Sequence, residues 1–84
     1  MTARARRKAV RQIVMLIYPD AHLLDVAGPM SLFAAANDFA GFAAYELSLA
    51  ARQPGLIATS AGLPLLATRR AGPVMTGVDT LLVA

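Results

Sequence analysis

One carboxylate stands out among the residues that could do chemistry. Asp25 lies in the stretch LLDVAGPMSLF, three residues before Gly28-Pro29 and at the entrance of a predicted helix. A carboxylate at a helix N-terminus is stabilised by the macrodipole and by free N–H groups, by about 0.5–2 kcal/mol. The same carboxylate would also follow the first predicted strand, and open α/β sheets bind ligands at the carboxyl ends of their strands. The two roles are compatible, and the spacing alone favours the capping role.

Few other residues offer chemistry. We expect His22, the single histidine, to be a solvated loop residue. Gly28 and Pro29 are predicted to be structural residues at the rim of a cleft, Gly28 through its backbone freedom and Pro29 by fixing the helix entry. The sequence contains no cysteine, and no second histidine or carboxylate stands at metal-ligand spacing. We therefore expect no metal, no cofactor and no catalytic residue within these 84 residues.

The charge of the chain is unevenly distributed. Five of the eight basic residues lie in the first eleven positions, whereas from Gln12 onward three arginines oppose five acidic residues, which leaves a net charge of −2. Residues 1–11 are thus predicted to be a basic disordered tail, and the rest offers no basic stripe for the phosphates of a nucleic acid. The apolar run after the tail is too short for a signal peptide or a membrane span, so we expect a cytoplasmic protein that does not contact membranes.

Hydrophobic patterning predicts the elements that must position Asp25. Residues 13–18 form a continuous apolar run, typical of a strand that is buried on both faces. A helix follows, with Pro29 at its first position and Asn37 and Gly41 near its end; a start one turn earlier would make Pro29 a kink. Residues 45–49 alternate in polarity, as expected for a half-covered strand.

The remaining third of the chain predicts a hairpin and a last strand. The hairpin joins residues 57–60 to residues 63–67 around Gly62. Since Pro64 has no backbone N–H to donate, we expect the second of these arms to lie at a sheet edge. Residues 81–84, LLVA, predict a second strand buried on both faces. The order strand, helix, strand indicates a βαβ unit in an α/β fold.

These motifs resemble a known family. The strand with Tyr18-Pro19-Asp20, then LLDVAGPMSLFAAAN, then TSAGL and VDTLLVA, is similar to the start of a PfpI-type domain of the class I glutamine-amidotransferase-like superfamily. The D-x-x-G-P pattern most resembles the amidase-like N-terminal domain of AraC-type transcriptional regulators, the GlxA-like group, and secondly the isonitrile hydratases. The resemblance covers residues 12–84.

The resemblance implies an incomplete flavodoxin-like α/β sandwich, with the first strands and the first helix only. Residues 12–84 would then be the N-terminal part of a truncated PfpI-type domain. Asp25 matches the family's acidic residue, which lies beside a nucleophilic cysteine on a later strand-to-helix elbow. A glycine pair that binds an oxyanion would follow the strand at residues 81–83, so it and the elbow fall beyond Ala84. With the resemblance, we favour Asp25 as a ligand-binding or acid/base residue.

Three functional hypotheses follow from the resemblance. The favoured one is a fragment of the ligand-sensing domain of an AraC-type regulator, inactive alone, with an unknown small-molecule ligand. DNA would be bound only by a downstream helix-turn-helix domain, and the parent protein would be a homodimer. The second is a truncated PfpI-type enzyme, such as an isonitrile hydratase, with Asp25 as acid/base partner of a missing cysteine. The third is a non-functional product of a broken gene.

Overall fold

The computed structural model describes residues 10–72 and 75–84 and shows a mixed α/β fold, as predicted. Four parallel strands form one sheet in the order β5-β2-β1-β6, and two antiparallel strands form a separate hairpin. The elements are β1 (Arg11–Leu16), α1 (Leu23–Ala40), β2 (Tyr45–Ala51), β3 (Gly55–Ala58), β4 (Pro64–Ala67), β5 (Arg69–Arg70) and β6 (Thr80–Val83).

Strand β1 is the centre of the core. Its residues Ile13, Val14 and Met15 are no more than 2% exposed, and parallel strands pair with it on both sides. The predicted burial on both faces is therefore confirmed for these three residues, whereas Tyr18, the last residue of the predicted run, is 45% exposed. The strand begins at Arg11, however, which the sequence had assigned to the basic tail. The Arg11 N–H donates to the Ala44 carbonyl at 2.9 Å, so backbone pairing with β2 extends the strand in this direction. The rest of the predicted tail, apart from Val10, lies outside the described residues.

Helix α1 starts earlier than its preferred prediction. It begins at Leu23, so Pro29 is an interior residue, and the prediction that Pro29 occupies the first helical position is wrong. Tertiary packing explains the difference, because Val26 is 3% exposed and belongs to the core cluster that includes Met15. The burial of Val26 stabilises the first turns of the helix, although the Gly28 and Pro29 that follow are poor helix formers. The predicted end is confirmed, since Gly41 has φ +81° and its N–H donates to the Asn37 carbonyl.

The core cluster lies where α1 and the hairpin cover one face of the sheet. Met15, Ile17, Val26, Ala51 and Ala67 are its buried members. The hairpin β3–β4 pairs in antiparallel register from Gly55↔Ala67 to Ala58↔Pro64. The hairpin was thus correctly predicted, and because its sheet has only two strands, Pro64 lies on an edge strand as expected.

Strand β6 differs from its prediction in burial. The sequence predicted a strand buried on both faces, but Leu81 is 50% and Val83 64% exposed. The reason is topological, because β6 is the outermost strand of the sheet and pairs with β1 alone. Only Leu82 and Ala84, on the opposite side of this strand, pack against the core cluster. A run of apolar residues therefore indicated a strand here without indicating its place in the sheet.

Candidate functional site

The carboxyl ends of the parallel strands lie at the same edge of the sheet. A cavity opens at this edge. Tyr18 and Pro19 follow β1, and Arg52 and Gln53 follow β2, so the topology brings two loops together at this edge. A cavity of about 600 Å³, which we call the carboxyl-edge cavity, lies between these loops and the hairpin. Its lining residues are Ile17, Tyr18, Pro19, Ala51, Arg52, Gln53 and Ile57.

The carboxyl-edge cavity combines an apolar floor with a polar mouth. Ile17 and Ala51 are each 2% exposed and belong to the core cluster, whereas Arg52 and Gln53 are exposed. The Tyr18 hydroxyl donates to the Ala84 carbonyl at 2.6 Å, which holds the phenol ring in place. Small-molecule sites generally combine an apolar lining with a few such polar groups.

Two further hydrogen bonds fix the backbone around the carboxyl-edge cavity. The Asp20 N–H donates to the Ala58 carbonyl at 2.8 Å, and Nη1 of Arg70 donates to the Arg52 carbonyl at 3.3 Å. The first bond ties the loop after β1 to the hairpin, and the second ties the end of β2 to β5. Each of the two loops at the cavity is thereby tied to a neighbouring element of the fold.

Asp25 lies at the same end of the sheet but does not line this cavity. It is the third residue of α1, exposed, and its N–H donates to the His22 carbonyl at 3.1 Å. His22 is the N-cap residue, and no side chain caps the helix by a hydrogen bond. The macrodipole still favours a carboxylate in this first turn. The role of Asp25 as a ligand-binding or acid/base residue stays a prediction.

Gly28 and Pro29 lie inside α1, half-buried, and line neither of the two cavities that adjoin the sheet. A Cβ added to Gly28 would meet no atom within 4 Å, so this position does not need glycine for a close approach. Pro29 has no N–H to donate to the carbonyl of Asp25, four residues earlier in the helix. Instead of fixing the helix entry, the Gly28-Pro29 pair therefore weakens the hydrogen bonding of the helix around Asp25.

A second, smaller cavity of about 270 Å³ lies between α1 and β2. Its lining residues are Leu23, Val26, Ala27, Met30, Leu47, Ser48, Leu49 and Leu65. Ser48 is the one polar residue among them, and its Oγ is buried without a hydrogen-bond partner in the described part of the chain. Because Ser48 is the one polar residue in its lining, we interpret this cavity as a packing gap between the helix and β2.

Sequence reasoning missed the residues that form the carboxyl-edge cavity. Arg52 and Gln53 come three and four residues after the alternating run that predicted β2, and Tyr18 is the last residue of the first apolar run. Polar residues at the carboxyl ends of two predicted parallel strands were the available signal. The contribution of Ile57 could not be foreseen, because it depends on where the hairpin packs.

The described residues were also searched for metal sites and membrane spans. Within residues 10–72 and 75–84, no three histidine, cysteine, aspartate or glutamate side chains come together as a metal site. Over the same residues, no helix has both the length and the apolar character needed to cross a membrane.

Comparison with known proteins finds a likeness among solved structures. No protein-family model and no curated protein matches the sequence. Among solved structures, the crystal structure of an AraC family transcriptional regulator from Pseudomonas putida is similar, with a TM-score of 0.76 and 15% sequence identity. The alignment covers 87% of this chain and 45% of the regulator, so the chain spans less than half of that protein's length. Over most of its length, the chain therefore has the fold of part of an AraC family regulator.

Proposed function

We propose that these 84 residues form the N-terminal part of the ligand-sensing domain of an AraC-type transcriptional regulator. The observation that carries the proposal is the shared fold, which extends over 87% of the chain and has its counterpart in a transcriptional regulator. The carboxyl-edge cavity supports the sensing role, because open parallel sheets bind small molecules at this edge. We assign the domain to the PfpI-type, GlxA-like group on the LLDVAGP and TSAGL motifs.

The charge distribution agrees with a sensing role rather than with DNA binding by this region. DNA affinity comes largely from arginine and lysine side chains that neutralise phosphates, and residues from Gln12 onward carry a net charge of −2. In this proposal, DNA is bound by a separate helix-turn-helix domain of the same regulator. The intact regulator would be a cytoplasmic homodimer, since helix-turn-helix proteins commonly bind paired half-sites as dimers.

Asp25 is the residue we assign to ligand contact outside the cavity. Its carboxylate is exposed at the carboxyl edge, in a turn whose helical hydrogen bonding Pro29 weakens. The enzyme alternative would make Asp25 the partner of a cysteine thiolate, and none of the 84 residues is a cysteine. The shared fold with a regulator favours a binding role for this carboxylate.

The reading frame around the gene tests this proposal with little effort. We expect codons after that of Ala84 to encode a glycine pair, because backbone N–H groups can approach an anion closely where no Cβ intervenes. Further downstream we expect two helix-turn-helix units with clustered lysine and arginine. A frame that instead ends after one domain with a cysteine on a strand-to-helix elbow would support the enzyme. A frame with neither feature would reject the family assignment.

A substitution in the intact regulator tests the role of Asp25. Asp25→Asn keeps hydrogen-bonding ability and removes the charge, so ligand-dependent transcription should be lost while the melting temperature stays nearly unchanged. Asp38→Asn is the matched control, since Asp38 is also exposed on α1 but lies near the other end of the helix. An unchanged ligand response in Asp25→Asn would reduce Asp25 to a favourable charge at a helix N-terminus.

A further inference from the structure

We propose that the carboxyl-edge cavity binds a small organic carboxylate with an apolar body, held at its charged end by Arg52 and Gln53. The inference rests on the proposed function in treating this cavity as the sensing site, and it adds the chemical class of the ligand. Its physical basis is that one part of the cavity lining carries a charge and hydrogen-bond donors and another part is apolar.

Arg52 supplies the charge that a carboxylate would pair with. Arg52 lines the cavity and is exposed, and no carboxylate among residues 10–72 and 75–84 pairs with its guanidinium. A guanidinium presents parallel N–H groups that match the two oxygens of a carboxylate. The neighbouring Gln53 adds amide N–H donors on the same loop.

The charged residue in the cavity lining is an arginine, Arg52. Arg70 lies beside Arg52, because its Nη1 donates to the Arg52 carbonyl at 3.3 Å. Asp20, next to Pro19 of the lining, and Asp25, at the start of α1, are the acidic groups at this edge, and neither lines the cavity. Arg69 does not contribute, since it neighbours Arg70 on β5 and therefore points to the other side of the sheet, where its Nη2 donates to the Thr76 carbonyl.

The rest of the cavity favours an apolar group and sets the direction of the ligand. Ile17, Ala51 and Ile57 form apolar walls. The Tyr18 hydroxyl already donates its proton to the Ala84 carbonyl, so it presents lone pairs that would repel a carboxylate. A ligand would thus place its carboxylate at Arg52 and its apolar body over the floor. The volume of about 600 Å³ lies in the usual range for small-molecule sites.

Titration with isocaproate and its neutral analogue isocaproamide tests the proposal on the full-length protein that contains these residues. Isocaproate should shift the amide resonances of Arg52 and Gln53 in ¹H–¹⁵N spectra, and isocaproamide should bind about tenfold more weakly, as expected when a charge-assisted pair is lost. Arg52→Gln should raise the Kd for isocaproate by about tenfold. Arg69→Gln removes the same charge on the opposite side of the sheet and should leave the Kd unchanged.

Equal affinity for the acid and the amide, or equal loss in the two variants, would overturn the proposal. A second measurement needs no variant: isocaproate should protect Arg52, and not Arg69, from phenylglyoxal when modification of the wild-type chain is read by mass spectrometry. Absence of selective protection would also overturn it. Carboxylate selectivity without downstream helix-turn-helix codons would leave this inference standing and remove the regulator proposal. Downstream helix-turn-helix codons without carboxylate selectivity would remove this inference and leave the regulator proposal standing.

Discussion

The two edges of the parallel sheet are built differently. At the amino edge, where β1 and β2 begin, side chains close the structure with hydrogen bonds to the backbone. At the carboxyl edge, the loops surround a cavity and the first turn of α1 has no side-chain cap. The Tyr18 and Arg70 side chains also bond to the backbone at the carboxyl edge, but among the described residues the Arg52 guanidinium and the first turn of α1 keep polar groups without such a partner there.

Asn37 shows how the amino edge is closed. Its side-chain amide donates to the Tyr45 carbonyl and accepts from the Tyr45 N–H, both at 2.8 Å, which joins the end of α1 to the start of β2. The Phe33 and Tyr45 rings pack edge to face, with centroids 5.0 Å apart. On the other side, the Gln12 N–H donates to the Asp79 carboxylate at 2.7 Å. The starts of β1 and β2 are therefore each held by a side chain.

The carboxyl edge leaves comparable groups without partners of this kind. Pro29 deprives the Asp25 carbonyl of its helical donor, and the His22 side chain makes no capping bond. The Arg52 guanidinium pairs with no carboxylate of the described residues. These exposed groups are available to a ligand at the mouth of an apolar cavity, which is the arrangement that small-molecule sites generally have.

The largest expected effect comes from breaking the amino edge. Asn37→Ala removes two hydrogen bonds and leaves the partly buried Tyr45 backbone groups unpaired, so the free energy of unfolding should fall by about 3 kcal/mol. Denaturant unfolding measures the change. Asp38→Ala, at the adjacent exposed position, should change stability by less than about 0.5 kcal/mol. Similar losses in both variants would show that the Asn37 bonds contribute nothing specific.

Strengthening the carboxyl edge should have the opposite sign. Pro29→Ala restores a helical N–H, and alanine is favoured over proline in a helix interior by about 3 kcal/mol, of which about 1 kcal/mol is offset by the freer unfolded chain. We expect the free energy of unfolding to rise by about 2 kcal/mol in the same denaturant experiment. A loss of stability would show that Pro29 packs in a way that alanine cannot replace.

Gly28→Ala should give a smaller gain at the same turn. A Cβ at Gly28 meets open space in a helical backbone, so stability should rise by about 1 kcal/mol. Gly62→Ala provides the contrast, because Gly62 has φ +81° and alanine there is strained by about 1 kcal/mol. Thermal unfolding should separate the two variants in opposite directions. Destabilisation by both would contradict the open space around Gly28.

The sequence predicted what depends on local pattern and missed what depends on packing. The central strand, the hairpin and the helix end at Gly41 were predicted because apolar runs and glycine positions act locally. The start of α1 was wrong because burial of Val26, a tertiary contact, outweighs the local preference of Pro29 for a first turn. The exposure of β6 was missed because the residues of a strand do not reveal its position in the strand order of the sheet.

The same limit applies to the candidate site. Asp25 was found because a carboxylate before Gly-Pro is unusual in so apolar a stretch. Arg52 and Ile57 were not found, since only the pairing of β1 with β2 and the packing of the hairpin bring them to one cavity. Residues on three separate elements carry no shared spacing that a sequence pattern could show.

Hydrogen exchange at the two ends of α1 tests the contrast between the edges most directly. The account predicts that the amides of Ala27 and Gly28, beside Pro29, exchange about tenfold faster than those of Ala40 and Gly41, where the helix is closed onto Asn37. Each pair is one alanine and one glycine, so intrinsic exchange rates do not account for a difference of this size between the turn before Pro29 and the end of the helix. Equal rates, or faster exchange at Ala40 and Gly41, would contradict the division into a closed amino edge and an open carboxyl edge.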